Sequence, residues 1–245
     1  MQDDQTSRSR RYYDEFSKRY DDKRGGRRPG GYHDLVDDLE VELVRRYGEG
    51  RDVLEVGCGT GLLLARFAEF ARAAKGIDLS EGMLAKAKAR GLDVQVASAT
   101  ELPFADDSFD VACSFKVLAH IPPIQQALSE MARVVRPGGH VLAEFYNPNS
   151  LRFVAKRLAG PLTVGEGVKE SDVYTRFDAP SDVARLTPAG MELVGARGIR
   201  IVTPAAFVLD IPVLSGALSR IERALADTQA AKLAGFYVAV WRKRG

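Results

Sequence analysis

The stretch Val53-Leu54-Glu55-Val56-Gly57-Cys58-Gly59-Thr60-Gly61 constrains this chain more than any other. A short apolar run ends in glycines at every second position, and a helical pattern follows. A strand that runs into a glycine turn and then a helix opens a βαβ unit. The turn then lies in the crevice where open α/β sheets bind ligands. Glycine lets the backbone turn sharply and lets a ligand approach without meeting a Cβ.

The pattern alternates from there. Residues 60–71 place Leu64, Phe67 and Ala71 on one helical face, and Ala73–Asp78 reads as a second strand. Ser80 is placed to cap a helix through residue 89. Val94 and Val96 belong to a third strand and Asp110–Phe115 to a fourth. A helix over 123–134, a turn at Arg136-Pro137-Gly138-Gly139 and a fifth strand, His140–Tyr146, follow. Strand–helix alternation predicts a parallel sheet covered on both faces. A helix near 181–189, a strand at 191–202, a helix with Leu214, Leu218, Ile221 and Leu225 on one face, and a strand Phe236–Trp241 complete a Rossmann-like α/β fold of seven strands.

Two segments fall outside this rhythm. Four glycines and a proline in Gly25–Gly31 cannot hold a helix, so they separate an amphipathic piece at 9–20 from a helix at 32–47. Residues 1–31 read as an N-terminal cover. Residues 147–180, with Pro148, Gly160, Pro161, Gly165 and Gly167, read as an inserted lid or substrate-facing segment within one domain spanning 1–245.

Composition excludes several classes. Hydrophobic residues make up 45% and charged residues 28%, which is the balance of a globular protein. No apolar run is long enough to span a membrane and no signal peptide is visible, so a cytoplasmic location is expected. Thirty-five Lys+Arg against 33 Asp+Glu give a formal charge of +2, too even to demand a nucleic-acid partner. Cys58 and Cys113 lie in apolar strand-like surroundings and are expected reduced and buried.

Two nucleotide ligands suit the glycine turn. The dinucleotide fingerprint is G-x-G-x-x-G. Here the third glycine comes one residue early, and Glu55 precedes the first. A carboxylate there is a poor neighbour for a pyrophosphate and a good one for a ligand carrying an ammonium and a sulfonium. Charge therefore favours S-adenosylmethionine over NAD. Asp78, at the end of the second strand, is placed to accept both hydroxyls of a ribose.

At this point the chain resembles the class I S-adenosylmethionine-dependent methyltransferases, the small-molecule, type 11-like members among them. Glu55–Gly61 resembles the family's first motif, and Gly76-Ile77-Asp78-Leu79-Ser80 its ribose-binding acidic turn. Ala97–Phe104 and Ser108-Phe109-Asp110 resemble the loop over adenine and the fourth strand, and Arg136–Gly139 the turn into strand five. The resemblance implies cofactor contacts from Glu55, Gly57, Cys58, Gly59 and Gly61, with Asp78 on the ribose. It also implies Leu79 and Met83 against adenine, and Ala99 and Thr100 at its edge. Phe115 and Lys116 would border the methionine portion, and Tyr20 would cap the cofactor. Many relatives carry Asp where this chain has Ser98, whose hydroxyl could still accept one weaker bond.

The implied reaction is transfer of a methyl group to O, N or C of a small organic molecule, an in-line displacement that asks the protein for alignment, dryness and sometimes a base. His33, His120 and Tyr12 are the catalytic candidates. His120 follows the fourth strand, His33 follows the glycine hinge, and Tyr12, Phe16 and Tyr20 form an aromatic stripe at i+4 spacing. The sequence holds no Pro-Cys nucleophile, no Asp-Asn metal pair and no zinc-like spacing. Three alternatives stay open: an RNA methyltransferase, suggested by nine basic and four acidic side chains over 8–28; an NAD-dependent oxidoreductase; and a non-catalytic cofactor-binding module.

Overall fold

The run at 53–56 forms β1 (Asp52–Val56), a central strand of a seven-stranded sheet. The computed structural model describes residues 2–23, 31–150, 153, 174–203 and 206–245. The other strands are β2 (Ala73–Asp78), β3 (Asp93–Val96), β4 (Phe109–Ser114), β5 (Val135–Tyr146), β6 (Met191–Ile199) and β7 (Phe236–Lys243). Their order is β3-β2-β1-β4-β5-β7-β6. The first five run parallel, and β7 lies antiparallel between β5 and β6. The chain leaves β1 toward β2 and β3, then returns to β4 on its other side. Between β1 and β4 the order reverses, and their carboxyl ends open a crevice there.

Helices α1 (Gln2–Lys23), α2 (Tyr32–Gly48), α3 (Leu62–Phe67), α4 (Glu81–Ala89), α5 (Ile124–Val134), α6 (Pro180–Arg185) and α7 (Pro212–Ala226) complete the regular elements considered below. One core layer joins Leu39, Leu43 and Val44 of α2 to Leu64 and Phe67 of α3 and to Val53 and Val111 of the sheet. The opposite layer joins Leu128 and Met131 of α5 to Leu54, Val56, Phe145 and Trp241. Helix α5 buries Ile124, Ala127, Leu128, Met131 and Ala132, the three–four spacing of one helical face. Ser80 caps α4, its Oγ accepting from the Met83 amide at 3.1 Å. Both cysteines are buried and unbridged.

Several elements differ from expectation. Helix α3 is shorter than 60–71 because Gly61 takes a left-handed φ of +80° and becomes its N-cap. The expected turn at Arg136–Gly139 is absorbed into the start of β5, beside an irregularity in the β4 pairing between Phe109 and Val111. Strand β6 stops at Ile199, before 202, because Arg200 turns left-handed at φ +64°. The amides of Ile201, Val202 and Thr203 then donate to the buried Glu222 carboxylate at 2.7, 2.9 and 2.9 Å. In α7, Glu222 and Ala226 face inward and Leu218 packs against the core, while Leu214 and Ile221 of the expected apolar face are exposed. The 25–31 hinge and the 147–180 insert lie largely outside the described residues, as do the side chains of the basic cluster Lys23, Arg24, Arg27 and Arg28. No described helix is long and apolar enough to cross a membrane.

Candidate functional site: two chambers at the sheet's switch point

The three glycines of the turn have three different tasks. Gly57, at φ +80°, packs so close to Val117 that an added Cβ would stand 2.4 Å from a Val117 methyl. Gly59, at φ +53°, has no atom within 4 Å of where a Cβ would be. Its amide donates to Asp78 Oδ2 at 2.9 Å. Gly61 caps α3, and a Cβ there would meet Leu92 Cδ1 at 2.3 Å and Ala87 behind it. Gly57 and Gly59 line a cavity of about 230 Å³, whereas Gly61 serves helix packing and does not line it, unlike its expected place beside the ligand.

Asp78 faces this cavity from the end of β2. Its Oδ1 accepts from the Ser80 amide at 2.9 Å, so the carboxylate clamps the glycine turn to the start of α4. Burial raises its pKa, and these amide bonds oppose the rise. Glu55, Cys58, Leu79, Met83, Ser98, Ala99, Thr100, Phe115 and Lys116 line the same cavity. Ser98 is not free to act as the missing Asp would. Its Oγ accepts from the Thr100 amide at 3.2 Å and pairs with Thr100 Oγ1 at 2.7 Å.

A second cavity, of about 320 Å³, opens beside the first. Seven of its lining residues are aromatic: Tyr12, Tyr13, Phe16, Tyr20, Tyr146, Phe153 and Phe177. Helix α1 supplies four of them. Phe16 stacks on Tyr12 at 5.7 Å and meets Tyr20 edge-on at 5.5 Å. Thr175 and Phe177 are held in place by backbone bonds from Arg176 N to Ala119 O and from Asp178 N to Tyr146 O, each 2.9 Å. Tyr13, Tyr20, Lys116 and His120 line both cavities, so the chambers meet at these four residues.

His120 Nδ1 lies 2.9 Å from the Tyr174 carbonyl oxygen. Burial lowers the ring's pKa, against a smaller upward pull from that carbonyl. A carbonyl oxygen only accepts, so the neutral ring carries its hydrogen on Nδ1 and leaves Nε2 with a lone pair. Of the other catalytic candidates, Tyr12 lines the aromatic chamber alone. His33 packs edge-on against Tyr32 and lines neither chamber.

Behind the junction lies a cluster of buried charge. Lys116 takes a left-handed φ of +61°; its amide donates to Glu144 Oε1 at 3.1 Å, and its Nζ stands 2.5 Å from Glu40 Oε1 and 3.6 Å from Asp37. Glu40, Glu55 and Glu144 are all buried. Burial first, and the Glu40 charge second, push Glu55 and Glu144 well above the ordinary carboxylate range. Among the described residues, no group of His, Cys, Asp or Glu is arranged to hold a metal ion.

Tyr146, Phe177, Glu40 and Glu144 join the site without a motif to mark them. Tyr146 ends β5 at the ligand edge of the sheet, so its position was a usable signal. Glu40 and Glu144 sit where the periodicity demands apolar residues, in Leu39-Glu40-Val41 and Ala143-Glu144-Phe145, and a charge at a core position is a usable signal for a functional or structural polar cluster.

A family model described as a methyltransferase domain matches residues 54–143. The chain is 41% identical over 106 residues to a probable S-adenosylmethionine-dependent methyltransferase of Mycolicibacterium smegmatis, a match covering 42% of this chain and 40% of that protein. It is 31% identical over 183 residues to a ubiquinone biosynthesis O-methyltransferase of Alkalilimnicola ehrlichii, covering 71% of this chain and 73% of the relative. The fold is shared with a solved Thermotoga maritima S-adenosylmethionine-dependent methyltransferase, described as a possible histamine N-methyltransferase. The TM-score is 0.67 at 18% identity, over 95% of this chain and 98% of that one. With the motif, the switch-point cavity and these relatives in agreement, the chain belongs to the class I S-adenosylmethionine-dependent methyltransferases.

Proposed function

We propose that this protein transfers a methyl group from S-adenosyl-L-methionine in the glycine-turn chamber to the hydroxyl oxygen of a small aromatic molecule in the aromatic chamber. The observation that carries this reading is the junction: two chambers of different character meet at Tyr13, Tyr20, Lys116 and His120.

The glycine-turn chamber suits the cofactor. The open space above Gly59 admits a ligand against the backbone, Asp78 offers a carboxylate to ribose hydroxyls, and buried Glu55 offers negative charge to a cation. Met83, Leu79 and Ala99 supply apolar surface for adenine, and Phe115 and Lys116 border the methionine end. When bound, the cofactor supplies an electrophilic methyl group on a positively charged sulfur. The protein's work is to orient, to exclude water and to remove a proton.

The aromatic chamber favours a flat ring, which stacks on or meets tyrosine and phenylalanine faces edge-on. His120 Nε2 accepts the hydroxyl proton as the oxygen gains its methyl, and the Nδ1–H···O bond to Tyr174 holds the ring in the tautomer that can do so. The Alkalilimnicola relative, named as an O-methyltransferase, supports oxygen as the acceptor. The test is incubation with methyl-labelled cofactor and a panel of phenols, anilines and aliphatic alcohols, read by mass spectrometry. Labelled methyl ethers of phenols are expected. Label only on nitrogen or carbon products would overturn the oxygen assignment.

A further inference from the structure

Residues 174–178 belong to no helix or strand, yet Thr175 and Phe177 of this segment form part of the aromatic chamber's wall. Side chains of an extended segment alternate, so Arg176 and Asp178 share the side turned away from the chamber. Neither of them lines either cavity. There Arg176 grips Asp178 with two arms of its guanidinium, Nε donating to Oδ2 at 2.8 Å and Nη2 to Oδ1 at 2.6 Å. Asp178 is 5% exposed, so the forked pair is largely shielded from water. Side chains two positions apart meet in this way while the backbone between them stays extended.

The same segment runs beside His120. The Arg176 amide donates to the Ala119 carbonyl and the Asp178 amide to the Tyr146 carbonyl, each at 2.9 Å. The contact next to these is made by a side chain: His120 Nδ1 meets the Tyr174 carbonyl at 2.9 Å, with Thr175 Oγ1 at 3.3 Å. Tyr174 is 43% exposed, so water competes for Nδ1 once the segment shifts. A carbonyl oxygen only accepts and selects the Nδ1–H ring. Water donates as readily as it accepts and selects neither tautomer.

We propose that Arg176 and Asp178 are positioning residues for methyl transfer: their ion pair keeps segment 174–178 extended, so that the Tyr174 carbonyl fixes the His120 hydrogen on Nδ1 and the lone pair on Nε2 while Thr175 and Phe177 face the acceptor. This rests on the reading of His120 as the base. The pair acts through the backbone of its own segment and touches no reacting atom. Its effect therefore falls on the ring's tautomer and on turnover, and leaves the cofactor chamber unchanged.

The test reads the ring directly. Long-range proton–nitrogen spectra of the isotope-labelled protein, at about pH 8 where an ordinary histidine is neutral, distinguish a ring nitrogen carrying hydrogen from one carrying a lone pair. The chain has three histidines, and His120→Gln identifies the His120 signals. The wild type should show the Nδ1–H form. Asp178→Asn should convert it to a mixture of both forms and lower kcat by about tenfold, with the S-adenosylhomocysteine dissociation constant within about twofold. Arg176→Met/Asp178→Leu removes both charges together, strands no buried ion and should behave alike. A ring that stays Nδ1–H in both variants, an Nε2–H ring in the wild type, or a mixed ring with unchanged kcat would overturn the proposal. Full kcat in His120→Gln would instead remove the base reading, and the positioning role with it.

Discussion

The hydroxyl of Thr60 donates to Asp21 Oδ1 at 2.8 Å, so the N-terminal helix is tied directly to the turn between the second and third glycines. The other oxygen of Asp21 accepts from Arg90 at 2.8 Å, and Asp14 Oδ1 accepts from Ser80 Oγ at 2.6 Å and the Gly82 amide at 3.0 Å. Helix α1 is docked by polar bonds to the glycine turn and to the two ends of α4, while its aromatic side forms a wall of the second chamber.

A ligand in the neighbouring chamber is expected to tighten these ties. Amides of residues 10–22 should gain hydrogen-exchange protection when S-adenosylhomocysteine is added. An Asp14→Ala/Asp21→Ala variant should lose that gain and bind the ligand about tenfold more weakly, as expected for the loss of a few charge-assisted bonds. Equal protection with and without ligand in the wild type would mean that the helix is permanently docked structure.

Gly57→Ala should destabilise the protein by about 3 kcal/mol, combining a left-handed alanine with a clash. The clash is with a single side chain, Val117, at 2.4 Å. In a double-mutant cycle with Val117→Ala, about 1 kcal/mol of the loss should be recovered, with the backbone strain and the contact to the residue 117 Cβ at 2.9 Å remaining. Additive losses on denaturant unfolding would contradict this account of the glycine.

Asp78 both clamps the turn and faces the chamber, so Asp78→Asn is the cleaner probe than Asp78→Ala. Asparagine keeps one acceptor for the amides and removes the charge. S-adenosylmethionine binding should weaken by about tenfold or more with the fold intact. An unchanged dissociation constant would separate Asp78 from the ribose.

Much of this frame was legible from residue pattern alone. The five parallel strands, the Ser80 cap and the cavity-facing Asp78 follow from short-range chemistry: apolar runs, glycine spacing and capping residues act within a few positions. What escaped depends on contacts across the chain. Glu222 of α7 binds amides some twenty residues away, and Gly61 packs against Leu92 of the segment after α4. The aromatic chamber gathers α1, β5 and the segment at 174–178, which no local periodicity brings together.

His120 gives the reaction a pH signature. It must be neutral to accept a proton, and burial lowers its pKa from the ordinary histidine value. The rate kcat/KM should therefore be level near neutrality and fall as pH drops through the lowered pKa, with an acid-limb midpoint below about 6.5. His120→Gln should remove that limb and reduce kcat by about a hundredfold or more. An acid limb that persists in the variant would assign the base elsewhere.

Phe16 tells the two proposed occupants apart, because it lines the aromatic chamber alone. The measurement is the acceptor KM and the S-adenosylhomocysteine dissociation constant of Phe16→Ala beside the wild type. Acceptor KM should rise by about tenfold, for the loss of one aromatic contact surface, with cofactor affinity within about twofold. A weakened cofactor with an unchanged acceptor KM would contradict it.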